Sequence, residues 1–435
     1  MSALSHRQRR PRKAMPLQDV VDGGLCSGCG VCAYLHPDSI KMVDVPESGL
    51  RPKPSQAGVD FLPHGDGATA CPGSELAIEP EELSGDTVQE LRAGWGPVRE
   101  LWEGFSTDNE LRVAGSSGGV ASALALFALE RKSFEGVLHV AAREDVPYQN
   151  RTVVSRTREE LLARTGSRYA PASPCDGLAE VENASGSMVF IGKPCDVAAT
   201  RKARALRPML DQKLGLTIAF FCAGTPSTNG TLELLGQLGV SEPANLRSLR
   251  YRGNGWPGRA TAVFKDENGS EKRSDLSYEK SWGGILSKHV QWRCRLCADH
   301  TGEFADIAVG DPWYRNIEPG EAGSSLILAR TERGRAFLRE AIAGGYISAA
   351  EAESDLLPRS QRNLLKVRGA IWGRILGLKL IGARAPRYVG MDAFSFWRSE
   401  LTNKEKAKSV LGTIRRCLQK GVHPFFRRTG NNSGK

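Results

Sequence analysis

CSGCGVCAYLHP, residues Cys26 to Pro37, sets three cysteines at intervals of three in a glycine-broken stretch. A loop, unlike a helix, can turn all three thiols toward one point. Gly28 and Gly30 let the backbone come close and aim N–H groups at the sulfurs, an interaction that helps to set the potential of a cluster. A structural zinc site more often uses two Cys-x2-Cys pairs. The spacing therefore points to Cys26, Cys29 and Cys32 as ligands of a [4Fe–4S] cluster, with zinc or no metal as the alternatives. Iron–sulfur runs of this type add a fourth cysteine three residues on, directly before a proline. Pro37 is present, but His36 stands where that cysteine would be.

The pair Cys71-Pro72 supplies what the run lacks. In two-cluster ferredoxins each cluster takes three cysteines from one run and its fourth from the other. A cysteine at position 36 would have served a partner cluster, and Cys71 is the expected fourth ligand here. His36 as ligand is the alternative. Residues 20–86 thus read as a small ferredoxin-like [4Fe–4S] module. Their Gly, Pro and Cys content suits a fold held by a metal centre more than by a large core.

The chain has 435 residues, of which 40% are hydrophobic, enough for two to four domains with a sizeable core. Lys and Arg number 59 against 49 Asp and Glu, a net +10 that gathers at both ends. Residues 1–19 read as a disordered basic arm and residues 351–435 as a helical basic extension. Such tails suit solvated chain, or contact with a membrane surface or an acidic protein. No nucleic-acid recognition motif accompanies the charge. No apolar run reaches membrane-spanning length, and MPLQDVVDGG after the first basic cluster is no signal-peptide core, so the expected location is cytoplasmic. In that compartment ten cysteines imply metal ligation or redox chemistry, not a disulfide framework.

Residues 87–350 have an α/β pattern. Thr87–Phe105 reads as a connector into this domain. GVLHVAA, SMVFIG, LGLTIAFF and SLILA are buried strands, and helices follow several of them. Thr157 is an expected N-cap, with Glu160 three residues on. Strands alternating with helices argue for a mainly parallel or mixed sheet covered on both faces. Four further cysteines fall in loops of this region: Cys195 in GKPCD, Cys222 in FFCAG, and Cys294 with Cys297 in WRCRLCADH. Strand-end loops of an open α/β sheet converge on one edge, so these four can meet around a second cluster. Scattered buried cysteines are the alternative. Cys175 and Cys417 fit no pattern and read as structural.

The turn Gly115-Ser116-Ser117-Gly118-Gly119 opens a long helix, whose N-terminus favours a phosphate. GSRYAP, with Arg168 and Tyr169, and RGNGWPG, with Arg252, Asn254 and Trp256, have the composition of ligand loops. A plain helix cap and ordinary surface turns are the alternatives.

Together SSGGVASALALFALE, GSRYAP, FIGKPCDVAA, FFCAGTPS, YRGNGWPG and WRCRLCADHTGEFADIAVGDPW resemble the coenzyme F-420 hydrogenase/dehydrogenase beta-subunit family, in that family's order. The N-terminal cluster module resembles its longer members. These include relatives of 7-hydroxymethyl chlorophyll a reductase and a bacterial branch associated with exopolysaccharide biosynthesis. The resemblance implies a domain binding FAD and a [4Fe–4S] cluster, with Cys195, Cys222, Cys294 and Cys297 as ligands. With the N-terminal cluster the expectation becomes an FAD-dependent iron–sulfur oxidoreductase. A ferredoxin-like one-electron carrier would exchange electrons with it through two [4Fe–4S] clusters and FAD, and a small molecule would be the substrate. Ser116, Ser117, Gly118, Gly119, Arg168, Tyr169 and Trp256 are expected to contact the cofactor. Lys193, Arg252 and Asn254 join them, Lys193 and Asn254 also as catalytic candidates, and Asp311 is a supporting residue. The competing expectation is an electron-transfer subunit that lacks substrate chemistry of its own.

Overall fold

The computed structural model describes residues 14–56, 65–318 and 320–420. Most of the expected N-terminal arm lies outside the described residues. The arm ends before residue 19, because a helix starts at Leu17 and buries Leu17 and Val20 on one face. In chain order the strands are β1 (Ile40–Val45), β2 (Gly49–Pro54), β3 (Glu75–Ala77), β4 (Glu100–Ser106), β5 (Gly136–Ala142), β6 (Asn150–Ser155), β7 (Met188–Gly192) and β8 (Leu214–Phe220). They continue with β9 (Leu246–Arg250), β10 (Arg259–Lys265), β11 (Glu271–Ser277), β12 (Ile307–Gly310), β13 (Ser325–Ala329), β14 (Ile347–Glu351) and β15 (Arg387–Val389).

The main sheet has eight strands in the order β14-β4-β13-β12-β8-β7-β5-β6. Its centre is parallel, β12 with β8, β8 with β7 and β7 with β5. The four outer pairings are antiparallel, so the sheet is mixed and not mainly parallel. The physical reason is β4. The stretch read as a connector is an alternating strand that pairs on both sides, with β13 and with β14, and this turns one flank antiparallel.

Alternation along the strands sends side chains to two cores. Met188 and Phe190 of β7 and Leu326 and Leu328 of β13 face one of them, together with the helix Pro194–Arg204 and residues of the N-terminal segment such as Tyr34 and Leu35. Val189, Ile327 and Ala329 face the other, packed against the helices Val120–Arg131 and Glu332–Ala343. Thr157 caps its helix, its hydroxyl accepting from the Glu160 N–H.

Strands β9, β10 and β11 form a separate antiparallel sheet, and β1 pairs with β2 as a hairpin. The C-terminal region is helical as expected. Its helices Leu364–Leu380 and Asn403–Lys420 pack together, and β15 between them pairs in parallel with β3 near the N-terminus. No helix among the described residues is long and apolar enough to cross a membrane.

Candidate functional site

Cys26, Cys29, Cys32 and Cys71 are all buried, between 6% and 8% exposed. Gly28 and Gly30 have φ of 74° and 90°, open to glycine without strain. A Cβ at Gly28 would lie 2.8 Å from the Leu50 carbonyl oxygen, and one at Gly30 2.9 Å from the Asp176 nitrogen. The loop thus lies flat against both neighbours, and the Gly28 N–H points at the Cys26 sulfur, 3.4 Å away. His36 Nε2 accepts the Gly67 N–H at 3.3 Å, which fastens the segment leading to Cys71.

Burial pushes the Cys32 thiol well up, and the neighbouring Cys26, Cys29 and Cys71 add to it. Burial, then Cys29 and Cys26, push Cys71 up to about 12. Burial and neighbouring thiols thus hold Cys26, Cys32 and Cys71 up, while a hydrogen bond with the Cys175 thiol pulls Cys29 down, a donor set that added positive charge would favour. No three His, Cys, Asp or Glu side chains among the described residues are grouped to hold a single metal ion.

The second set is assembled by topology. Cys195 opens the helix that follows β7, Cys222 follows β8, and the turn Trp292–Leu296 brings Cys294 and Cys297 to them. The Thr225 N–H points at the Cys294 sulfur, 3.3 Å away. Burial, then the Cys294 thiol, push Cys222 up to about 12, with a smaller contribution from Cys297. Burial also raises Cys195, with Asp196, Cys222 and Cys297 contributing.

Beside Cys222 lies a cavity of about 340 Å³ at the carboxyl ends of the parallel strands β7, β8 and β12. Ligands of open α/β sheets bind at this edge. Ser116, Ser117, Gly119, Arg168, Tyr169, Lys193 and Arg252 line the cavity, as do Asp311, Phe221, Trp282 and His300. The helix Val120–Arg131 opens onto it with a Gly119 N-cap and no side-chain cap, so its first N–H groups are available to an anion. His300 Nδ1 lies 2.8 Å from the Cys222 carbonyl oxygen, and its buried Nε2 has no protein partner.

Several expected contacts have other partners. Arg168 is a clamp: it donates to Asn150 Oδ1 at 2.8 Å and to the carbonyls of Leu249 and Pro147 at 2.7 Å. Arg252, 3% exposed, forms a two-pronged pair with Asp311 at 2.9 and 2.5 Å. Trp256 is buried away from the cavity wall, donating to Asp311 at 2.7 Å and stacking on Trp313 with ring centres 5.1 Å apart. Asp311 is therefore the anchor of the RGNGWPG loop. Gly118 packs its backbone against Ser324, where a Cβ would come within 2.9 Å. Asn254 is exposed in that loop at φ 58°, outside the cavity wall. A left-handed turn position that asparagine tolerates accounts for it.

Three residues that sequence reading left aside join the two cysteine sets. Cys175, fully buried, donates its N–H to the Cys29 carbonyl at 2.9 Å, and its thiol lies 3.3 Å from the Asp196 carbonyl oxygen. Asp196, also fully buried, follows Cys195 and accepts from Lys193 Nζ at 2.7 Å. Burial pulls the Lys193 ammonium down, but Asp196 and Cys195 outweigh it and hold the charge firmly. Arg293 is buried, donating to Tyr388 Oη at 2.9 Å and to the Pro72 carbonyl at 3.1 Å, and its charge favours the thiolates of Cys297 and Cys26. Arg293 stands next to Cys294 in sequence, a signal that was legible. Asp196 stands next to Cys195 in the same way, and Cys175 gives no such signal.

The family model for the N-terminal part of the coenzyme F420 hydrogenase/dehydrogenase beta subunit matches residues 101–179, and that for its C terminus matches residues 186–355. The coenzyme F420 hydrogenase subunit beta of Methanosarcina barkeri is 27% identical over 266 residues, covering 57% of this chain and 80% of that protein. The coenzyme F420-dependent sulfite reductase of Methanocaldococcus jannaschii is 24% identical over 333 residues, covering 73% of this chain and 46% of that protein. Among solved structures, a chain of the F420-reducing [NiFe] hydrogenase complex from Methanosarcina barkeri shares the fold, with a TM-score of 0.50 at 23% identity. It covers 65% of this chain and 94% of that one. This chain belongs to the coenzyme F420 hydrogenase/dehydrogenase beta-subunit family.

Proposed function

We propose that this member of the family is an iron–sulfur flavoprotein oxidoreductase that binds two [4Fe–4S] clusters and FAD, and exchanges electrons with a ferredoxin-like carrier. The carrying observation is a pair of separate four-cysteine sets, one of which adjoins a cavity at the carboxyl ends of parallel strands. Cys26, Cys29, Cys32 and Cys71 would hold one cluster, and Cys195, Cys222, Cys294 and Cys297 the other. The uncapped start of the helix Val120–Arg131 would take the FAD phosphates, and the apolar wall of Phe221, Trp282 and Ile191 its ring. When bound, the clusters supply one-electron steps and FAD joins these to two-electron chemistry.

The chain's own residues fit that use. Lys193 presents a fixed positive charge at the cavity wall, held by Asp196, which favours negative charge developing on a bound ring. His300 Nε2 offers an unpaired donor or acceptor at the same wall. The Asp311–Arg252 pair fixes the loop above. A small-molecule substrate would enter this cavity. The second reading is a subunit of a larger redox assembly, favoured by relatives named as subunits of F420 hydrogenase and formate dehydrogenase.

Purification without oxygen, followed by absorption spectroscopy and iron, sulfide and flavin analysis, tests the proposal. The expected result is about eight irons and one FAD per chain. A colourless protein that contains zinc overturns it. Reduction of a small substrate by the isolated chain excludes the subunit-only reading.

A further inference from the structure

Arg295, Arg374 and Arg416 converge where the turn carrying Cys294 and Cys297 meets the two long C-terminal helices. Arg374 donates to the Arg295 carbonyl, and its guanidinium is disfavoured first by burial and then by the nearby Arg416 and Arg295. None of the three forms an ion pair with a carboxylate among the described residues. Three arginines that repel one another at a surface are costly to keep unless an anion is to meet them.

The surrounding face has the same character. On the helix Asn403–Lys420 the buried positions Ser409, Thr413 and Cys417 mark the inner side, while Lys404, Lys408 and Arg415 are exposed on the opposite one. Leu380, Leu411 and Leu418 are 65%, 64% and 56% exposed, the three most exposed large apolar side chains among the described residues. The two helices run parallel, since Lys366 pairs with Glu405 while Gly377 abuts Val410 and Thr413. Leu380 and Leu418 therefore stand at the same end. Directly beneath that end, Leu378 and Cys417 share one apolar cluster with Leu296 and with Cys26, Cys32 and Cys71.

We infer that this basic, leucine-studded face is the docking surface for an acidic one-electron carrier protein. The inference rests on the redox reading above and gives it a place. Positive charge would steer the acidic partner and the leucines would supply the apolar centre of a transient contact, above an apolar cluster that includes Cys26, Cys32 and Cys71 of the first set. A phospholipid surface would meet the same charges. Exposed leucines set over an apolar cluster that holds Cys26, Cys32 and Cys71 favour the protein.

The test is titration of the full chain with an acidic plant-type [2Fe–2S] ferredoxin at low salt. Wild type is compared with Arg295→Glu/Arg416→Glu and with the milder Arg295→Gln/Arg416→Gln. Charge reversal should weaken the dissociation constant by about ten-fold or more, neutralisation by less, and both should flatten its salt dependence. Leu411→Gln should weaken it with the salt dependence retained. Iron content is read on every sample, so a failed cluster assignment is told apart from a failed surface. Wild type that does not bind, or variants within two-fold of it, would overturn the inference. So would variants that release the chain from phosphatidylglycerol vesicles while ferredoxin affinity stays the same.

Discussion

The two cysteine sets are built in opposite ways. The first takes three of its members from one seven-residue stretch, a loop whose last cysteine, Cys32, lies in the short helix Val31–Leu35, and all four are at most 8% exposed behind apolar packing. The second takes its members from loops after two different strands and a distant turn, all only partly buried, with Cys222 on the cavity wall. A local loop encloses its site and shuts it off. A site gathered by the sheet lies where the sheet also gathers ligands. The first set is therefore closed off, and the second stands open to the cavity.

The comparison breaks most sharply on ligand substitution. Cys71→Ser should remove about four irons per chain and leave flavin bound, while Cys222→Ser should remove about four irons and also loosen flavin. Iron and flavin analysis of the two purified variants checks this. Equal flavin retention would erase the proposed difference between the sets. Next comes Arg293, whose charge reaches both sets. Arg293→Leu leaves the Pro72 carbonyl without its donor, while the Tyr388 hydroxyl keeps the Leu296 carbonyl, and should cost about 2 kcal/mol in urea unfolding. It should also lower iron at both sets, whereas Arg293→Lys retains more of it. Loss at one set alone would mean that the arginine serves only that set.

A third test concerns the cavity side. His139 lines the cavity and bonds Ser155 at 2.7 Å, and burial, then Arg164, pull it down to about 4. An unfolded histidine binds its proton near 6.5, so this contribution is complete above that pH. It is lost as the pH falls from about 6.5 toward 4, by up to about 3 kcal/mol. His139→Gln should flatten that part of the stability profile, as thermal melts across the range would show. The smallest effect is expected at Asn254, exposed and off the cavity wall. Asn254→Gly should change stability by less than about 0.5 kcal/mol and leave flavin content unchanged.

Much of this site is legible in sequence where the chain is local. Cys26, Cys29 and Cys32 declare themselves by spacing, and Cys71 by the proline after it. Cys195 and Cys222 are legible because a strand before each predicts a shared edge. Of the residues that join the sets, Arg293 and Asp196 are marked only by the cysteine beside them, and Cys175 by nothing. Cys175 acquires meaning only because its loop packs on Gly30 and Cys29. Asp196 gains its role from being sealed under Lys193. The partners of two cavity cations are hidden for a related reason. Arg168 and Arg252 sit in loops of the right composition, but buried carbonyls and Asp311 take their N–H groups, which no local pattern announces. The connector that proved to be β4 fails likewise, since strand pairing with β13 and β14 depends on segments more than 200 residues away in the chain.

The pairing of β3 with β15 bears on how the protein is made. Glu75 and Arg387, 312 residues apart, are joined across this pair, just beyond Cys71. The Ile78 N–H reaches the Val389 carbonyl, and the Arg387 N–H reaches that of Ser74. As the chain leaves the ribosome, the CSGCGVC segment emerges long before the strand that pairs with the segment after Cys71. A nascent chain thus carries the first cysteine set without that partner strand until β15 has been made. Synthesis of β15, not emergence of the motif, sets the moment at which this pairing can form.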